Sequence, residues 1–477
     1  MEIFSHKRYS KKSLQRYEKK FFFVKLSLVS DVIKRLFFKY SMHNKTLPLI
    51  LLFLFCELSA FSQSPQGMTL PECIQYAERN NPTLLSAGLD VDVAEIRLKQ
   101  TRLQMAPVVT ANAGQNFGYS HGSEQFSING NYSVNAGIEI FNGLNTYNSI
   151  RQSQLQLTQA QLQAAQQKDQ VTIQIIRSYL TILMNQEMLE YQRNVLLSSR
   201  QQVTEGEQKY RVGQILESDY LMLQAQYQAD STSMENTIIA INNEYVTLRN
   251  YMNMNRSQPL SVVLPDSARL AASMTVPEFD EVLRRAFDYL PDVKMSRNAV
   301  EIAEYDVKLA KSAYYPSLSA SAGVGTGYNA AYGNGNNGLV SGLYKGLSES
   351  IGLSLSIPIY KQSSVRNNVK IKNIQVQQAE LALKTTKEQI VKEIETYYLD
   401  LKKAHNNFQL SELQKSAYYA NYMAYNQRFQ YGAITTVDLL QQQTNYLNIL
   451  NNYMQNKYNY LMQLKVLDVY TGQPVTL

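Results

Sequence analysis

Cysteine and histidine are scarce in this 477-residue chain, and each scarcity argues against a class of site. The cysteines are Cys56 and Cys73, too few for a disulfide framework or a cysteine-ligated zinc site. The chain has only four histidines, which leave little material for histidine-based metal binding or acid–base catalysis. No zinc-protease, phosphate-loop or nucleophile-elbow motif occurs. We therefore expect no enzyme activity, no catalytic residue, no cofactor and no bound metal.

Positive charge is also scarce once the N-terminal segment is set aside. The chain has 46 Lys and Arg against 39 Asp and Glu. Residues 1–62 hold twelve of the bases and four of the acids, so 34 bases and 35 acids remain, a net charge of −1. The body therefore lacks the basic patch of a nucleic-acid-binding protein, and we expect no nucleic-acid partner.

The N-terminal segment has the pattern of an export signal. A short apolar run, Leu47–Phe55, follows a basic stretch, and small residues stand at Ala60 and Ser62 before a cleavage point. We predict a leader over 1–62, with translation starting at Met42 and a signal peptide over 42–62. A cytoplasmic extension is the alternative. A lipid anchor on Cys56 is disfavoured because the bulky Phe55 precedes it. After residue 62, no run is apolar enough to cross a bilayer as a helix.

The remaining chain is duplicated. Pro291 and Pro316 follow Pro82 and Pro107 at one fixed offset, and Gly432 and Asp438 follow Gly213 and Asp219 at a second, slightly larger one. Landmarks at fixed offsets predict an internal repeat. We assign the first repeat to residues 63–256, a linker to 257–279 and the second repeat to 280–477.

Each repeat contains two segments with the period-two alternation of a strand. Residues 132–141 alternate cleanly, residues 351–359 match them in the second repeat, and the strands before them are predicted at 106–119 and 316–328. Alternation over about ten residues with aromatics near the ends is typical of membrane-spanning β-strands. A soluble antiparallel sheet also alternates, but it does not account for the export signal. Four strands cannot close a barrel, so two or three chains must pool them.

Long helices occupy most of each repeat. Residues 145–212 and 362–431 lack proline and, apart from Gly206, glycine, and each would extend about 100 Å as a helix. In the first, apolar residues recur at multiples of seven, as in an imperfect coiled coil. Those residues are Leu155, Leu162, Ile176, Leu183 and Leu197. Shorter helices predicted at 82–105, 218–254, 291–314 and 437–471 would stack along them, with the strands at one end and the glycine turns at the other. A soluble coiled-coil rod is the alternative.

The order and spacing of several short motifs, in duplicate, resemble the TolC-like outer-membrane efflux channel family. The matching pieces are Asn81-Pro82, Ala106-Pro107, Phe141-Asn142-Gly143, Tyr210-x-x-Gly213 with Asp219, Phe429-x-x-Gly432 with Asp438, and Leu467-x-x-Tyr470-Thr471-Gly472. The resemblance implies a mixed, mainly α-helical fold. It implies a homotrimer with a periplasmic α-helical barrel and a 12-stranded β-barrel, in contact with outer-membrane lipid in a Gram-negative bacterium.

The function implied is that of an exit duct of a tripartite efflux or type I secretion system. Its partners would be a periplasmic adaptor protein and an inner-membrane pump. A non-conducting coiled-coil scaffold in the periplasm or at the surface is the alternative.

The resemblance also implies which residues form the periplasmic gate. It places Asp438 in an inward-facing acidic ring, with Gln441 where some members carry a second acid. The gate and tip residues are Tyr210, Gly213, Asp219, Phe429, Gly432, Asp438 and Gln441, and the strand-to-helix motif is Phe141, Asn142 and Gly143. For Asp219 and Asp438 the alternative role is stabilisation of a helix N-terminus.

Overall fold

A computed structural model describes residues 67–122, 125–264, 276–331 and 343–477. The chain divides into two units, 1–66 and 67–477, of which the second contains every described residue. The predicted leader and part of the predicted linker lie outside them. The helices are α1 (Leu70–Asn80), α2 (Pro82–Leu103), α3 (Asn145–Arg211), α4 (Glu217–Met252), α5 (Phe279–Tyr289), α6 (Pro291–Ser312), α7 (Ser364–Gln430) and α8 (Thr436–Tyr470). The strands are β1 (Val108–Ser120), β2 (Gln125–Asn142), β3 (Ser317–Ala331) and β4 (Ser348–Ser356).

The secondary structure repeats with the two offsets seen in the sequence. Helices α1 and α2 correspond to α5 and α6 at the smaller offset, and α3 corresponds to α7 at the larger one. The left-handed backbone positions repeat as well, since Gly213 and Gly432 have φ of +73° and +72°. The same sequence signals therefore begin and end the helices in both repeats.

Two long helices organise the packing. Helices α2 and α4 both pack along α3, and α6 and α8 both pack along α7, as predicted. Contacts of α3 with α6 and α8 join the two repeats. The largest apolar cluster lies around the middle of α3 and includes Ile175, Ile176, Tyr179, Ile182, Leu183, Leu450, Met454 and Leu461. Helix α1 adds Leu70 and Cys73 to this cluster.

The predicted heptad seam of α3 is right at its centre and wrong towards its C-terminus. Ile176 and Leu183 are fully buried, whereas Leu197 is 64% exposed. The buried positions beyond residue 190 are Val195, Ser199, Gln202 and Gly206. A polar seam has replaced the apolar one there, because the partner helices supply hydrogen-bonding groups to it.

The four strands form one antiparallel sheet in the order β1-β2-β3-β4. Their register places small polar residues on one face and apolar residues on the other. The polar face includes Asn112, Asn116, Asn131, Ser133, Asn135, Ser319, Ser321, Ser350 and Ser354. The apolar face includes Val109, Ala111, Phe117, Ile128, Val134, Ile138, Leu318, Val324, Ile351, Leu353 and Leu355. The pairing of β2 with β3 shifts by one residue between Glu139 and Phe141, so that Phe141 pairs with Leu318.

Several predicted boundaries differ from those observed. Strand β2 begins at Gln125, well before the predicted start, so Tyr132 lies opposite Ala113 within the sheet and not at its end. Strand β4 ends at Ser356, because Pro358 has no N–H to donate to a ladder. The chain turns at Asn81 between α1 and α2, and the Asn81 side chain accepts hydrogen bonds from the first turn of α2.

Among the described residues, no helix is both long enough and apolar enough to cross a membrane.

Candidate functional site

The site is built on two tight turns, each joining a long helix to its return helix. In the first, Gly213 N donates to Tyr210 O at 3.0 Å, and Gln214 N donates to Lys209 O at 2.8 Å. In the second, Gly432 N donates to Phe429 O at 3.0 Å. A Cβ on either glycine would meet no atom within 4 Å, so the positive φ and not crowding requires glycine here.

Asp438 caps the N-terminus of α8. Its Oδ2 accepts from Thr435 N at 3.2 Å and from Thr435 Oγ1 at 2.7 Å, and Asp438 N donates back to Thr435 Oγ1 at 3.2 Å. These hydrogen bonds lower the pKa of Asp438, so the exposed carboxylate is ionised at neutral pH. Capping is therefore a role that Asp438 has, and its gate role stays a prediction.

The equivalent acid of the first repeat makes a weaker cap. Asp219 Oδ2 accepts from Leu216 N at 3.4 Å, and a leucine supplies no hydroxyl where Thr435 does. Gln441, the neutral replacement for a second acid, donates to Asn445 Oδ1 on its own helix at 3.1 Å. The turn of the second repeat is therefore the one that presents a firmly held negative charge.

The two predicted aromatic residues of the tip, Tyr210 and Phe429, lie in different environments. Tyr210 stacks on Tyr220 within its own hairpin, with ring centroids 5.8 Å apart. Phe429 is only 2% exposed and lies below the Nζ of Lys209, which is 4.2 Å from its ring centroid. Lys209 Nζ also donates to the backbone oxygen of Phe429. The two residues occupy equivalent positions in the repeats but differ in their contacts.

Lys209 is a functional candidate that the sequence did not reveal. It joins the first hairpin to the second, and burial lowers its pKa. Its equivalent, Arg428, instead lies 5.6 Å from the ring of Tyr425 on its own helix. A single lysine among exposed charges gives no signal in the sequence, because its partner is far along the chain, in the other repeat.

The strand-to-helix motif turns β2 into α3. Asn142 Oδ1 accepts from Thr146 N at 3.3 Å, and Asn142 Nδ2 donates to Thr146 Oγ1 at 2.7 Å. Gly143 has φ of +65°, and a Cβ there would lie 2.5 Å from Ser312 O. The motif therefore fixes the angle between sheet and helix, at the end of α3 opposite to the glycine turn.

Comparison with known proteins assigns the family. The family model for the outer membrane efflux protein matches residues 73–253 and 282–473, most of the chain. The chain is 24% identical over 425 residues to the outer membrane protein TolC of Vibrio cholerae serotype O1, covering 88% of this chain and 94% of that protein. It is also 24% identical to TolC of Escherichia coli strain K12, over 85% and 82% of the two chains.

Solved structures of similar fold include two channels. CusC superposes with a TM-score of 0.74 at 14% identity, covering 86% of this chain and 93% of the other. The open state of the MtrE outer membrane channel of Neisseria gonorrhoeae superposes with a TM-score of 0.70 at 16% identity, over 86% and 90%. None of these relatives favours the scaffold alternative. The chain belongs to the outer membrane efflux protein family, and it is an outer-membrane channel that extends into the periplasm.

Proposed function

We propose that three copies of this chain close into one ring, and that the ring is the passive exit duct of a tripartite efflux or type I secretion system. The observation that carries this proposal is that both layers of the protomer are open at both sides. The sheet ends at β1 and β4, and the helices α2-α3-α6-α7 form a row that ends at α2 and α7. Unpaired strand edges are costly inside lipid, so a second copy must cover them.

The open sides carry apolar surface that fits burial by a neighbouring copy. On α2, exposed apolar residues follow a helical spacing along one stripe, formed by Leu85, Leu89, Val93 and Ile96. On α7, Ile371, Ile374 and Leu381 are exposed. Because one open side differs from the other, the contact is head-to-tail, the kind of contact that forms a ring when the rotation between copies closes. Three copies supply twelve strands, the number that the family resemblance implies.

The two faces of the sheet suit a water-filled barrel in lipid. The Ser- and Asn-rich face would line the lumen, and the apolar face would contact outer-membrane lipid. We infer that transport is passive and that an inner-membrane pump supplies the energy. A periplasmic adaptor would dock at the turns, where Val212, Leu216, Tyr431 and Val437 are exposed.

At the tip, three Asp438 side chains would converge on the ring axis and attract cations. The test separates the effect of the Asp438 charge from the effect of its hydrogen bonds at the start of α8. Asp438→Asn keeps a side-chain oxygen that can accept from Thr435 N and removes the charge. We expect D438N channels in planar bilayers to lose most of the cation preference of the wild type. Glu217→Gln, an exposed acid in the first turn of α4, is the matched control. Unchanged selectivity in D438N would remove Asp438 from the gate.

A further inference from the structure

A layer of polar side chains ties the two helical hairpins together, roughly three helical turns from the glycine turns. This polar layer consists of Ser198, Ser199 and Gln202 on α3, Gln226 and Asp230 on α4, Tyr422 and Asn426 on α7, and Gln443 on α8. It contains the buried polar seam of α3. Side chains from all four helices of the two hairpins therefore meet at one level.

Five hydrogen bonds of the layer cross between the repeats. Gln202 Nε2 donates to Asn426 Oδ1 at 3.1 Å and to the Tyr422 hydroxyl at 3.3 Å. The hydroxyls of Ser198 and Tyr422 are 3.0 Å apart. Gln443 Nε2 donates to Asp230 Oδ2 at 2.9 Å and to Ser199 Oγ at 3.1 Å. The first hairpin is thus held to the second by side chains rather than by apolar packing alone.

Asp230 is the acid at the centre of this layer. It is 7% exposed, and its two oxygens accept from Gln443, from Ser199 and, at 2.8 Å, from Gln226. Within the described part of the chain it has no ion-pair partner. Burial raises its pKa, while the three hydrogen bonds oppose that rise. From α7 it faces the Tyr422 phenol, whose own pKa is raised, and from α3 and α8 it faces the neutral Ser199 and Gln443.

The repeat pattern does not require an acid at this helix position. At the equivalent place in the second repeat stands Ile449, at the same offset that relates Gly432 to Gly213. The layer also lacks a donor, because the buried Oε1 of Gln443 has no hydrogen-bond partner. A proton on Asp230 would add a donor to the layer, next to the Gln443 amide that carries this unpaired oxygen and already donates to Asp230 Oδ2. The neutral form of Asp230 therefore suits the buried layer better than the charged form.

We propose that Asp230 is a proton-operated clamp between the hairpins: in its protonated form it stays in the polar layer and holds them together, and its ionisation favours their separation. An acid whose pKa is raised in the packed state binds more protons there than when it is exposed. The packed state is therefore favoured below the ordinary aspartate pKa, and that advantage is lost as the pH rises through the raised value. This consequence rests on the duct function proposed above. Because the hairpins would carry the gate, acidification of the periplasm would close the duct.

Hydrogen exchange measured by mass spectrometry tests this directly on the full protein, purified from membranes in mild detergent. Exchange rates, corrected for the intrinsic effect of pH, are followed from pH 4.5 to 8 for peptides around Asp230 and Gln443. In the wild type we expect protection of both peptides to fall by about threefold or more over this range. Asp230→Asn, which cannot ionise, should show nearly constant protection. Glu235→Gln, an exposed acid on the same helix, should behave as the wild type.

Constant protection in the wild type would overturn the clamp, and so would a pH dependence that persists in D230N. Constant protection in the wild type would be decisive against the clamp even if D230N did not fold. The readout does not depend on conduction, because it reports hairpin packing alone. Planar-bilayer recordings of the same preparations test the duct separately, so a channel that does not conduct would refute the duct and leave the clamp to be judged by exchange.

Discussion

At the scale of single residues, we infer that Lys209 helps to hold the two tip hairpins together. Its ammonium interacts with both the ring and the backbone oxygen of Phe429 on the other hairpin. A cation–π contact and a charged hydrogen bond together contribute about 1–3 kcal/mol. We predict that Lys209→Met increases the population of separated hairpins by about tenfold, seen as a higher open probability in planar bilayers.

Arg428→Met is the matched control for Lys209→Met. Arg428 occupies the equivalent position of the second repeat but interacts with Tyr425 on its own helix. The Arg428→Met variant should therefore have an open probability near the wild-type value. Equal effects of the two variants would mean that loss of a tip charge, and not loss of the link between hairpins, is responsible.

Asp169 is a residue whose charge costs stability at neutral pH. Burial raises its pKa to about 6, and the hydrogen bond donated by Tyr289 and the nearby Lys168 only partly offset this effect. Because the pKa is raised on folding, the folded state is most favoured at acid pH and loses this contribution as the pH rises through about 6. We predict that Asp169→Asn raises the unfolding temperature at pH 7.5 by about 2–4 °C.

The pH dependence provides the check on this prediction. At pH 3.5, below the ordinary aspartate pKa of 3.8, the wild-type carboxyl is mostly protonated in both the folded and the unfolded state. D169N and the wild type should then unfold at nearly the same temperature, followed by circular dichroism. A stabilisation of equal size at both pH values would point to packing and not to charge.

Residues with strong local preferences could be predicted from the sequence, and residues with distant partners could not. Gly213 and Gly432 end helices, and Asp438 stands early in one, so the turns and the cap alternative followed from the chain alone. Lys209 and Asp230 depend on partners in the other repeat. Which face of an imperfect coiled coil meets its neighbour is set by packing, and the exposed Leu197 shows that heptad spacing alone does not fix it.

At the scale of elements, proline and glycine determined most boundaries. Helices α2 and α6 begin at Pro82 and Pro291, where the missing N–H costs nothing. The start of β2 was missed because Gly130 interrupts the apolar face of its first half, opposite the ring of Tyr328. The order of the strands and the join between the repeats depend on tertiary contacts, and the sequence alone did not specify them.

The glycine turns require a left-handed backbone conformation, and this requirement can be tested. Gly432 has φ of +72°, a conformation that costs an alanine about 1–2 kcal/mol. We predict that Gly432→Ala lowers the unfolding temperature in detergent. Gly88, an exposed position in α2 where an added Cβ would meet nothing within 4 Å, is the control, because alanine favours a helix interior by up to about 1 kcal/mol. If G432A were as stable as G88A, the left-handed turn would not be needed.

At the scale of the whole molecule, we propose that the duplicated protomer is one third of a closed ring. Its long helices carry the glycine turns at one end and the sheet at the other, and its open sides bear apolar residues on α2 and α7. The alternation of the strands, together with their small number, already indicated from the sequence that chains must pool strands. The choice between two and three copies did not follow from alternation, since eight and twelve strands both close.

The central claim is the ring of three, and the native mass of the protein tests it most directly. The protein should be extracted from purified outer membranes in a mild detergent and weighed by native mass spectrometry. The account predicts a single species with three times the mass of the mature chain, and therefore twelve strands in a closed barrel. A monomer, a dimer, or recovery only from the soluble periplasm would contradict it, since the strand edges and the apolar sides of the protomer would then be covered in some other way.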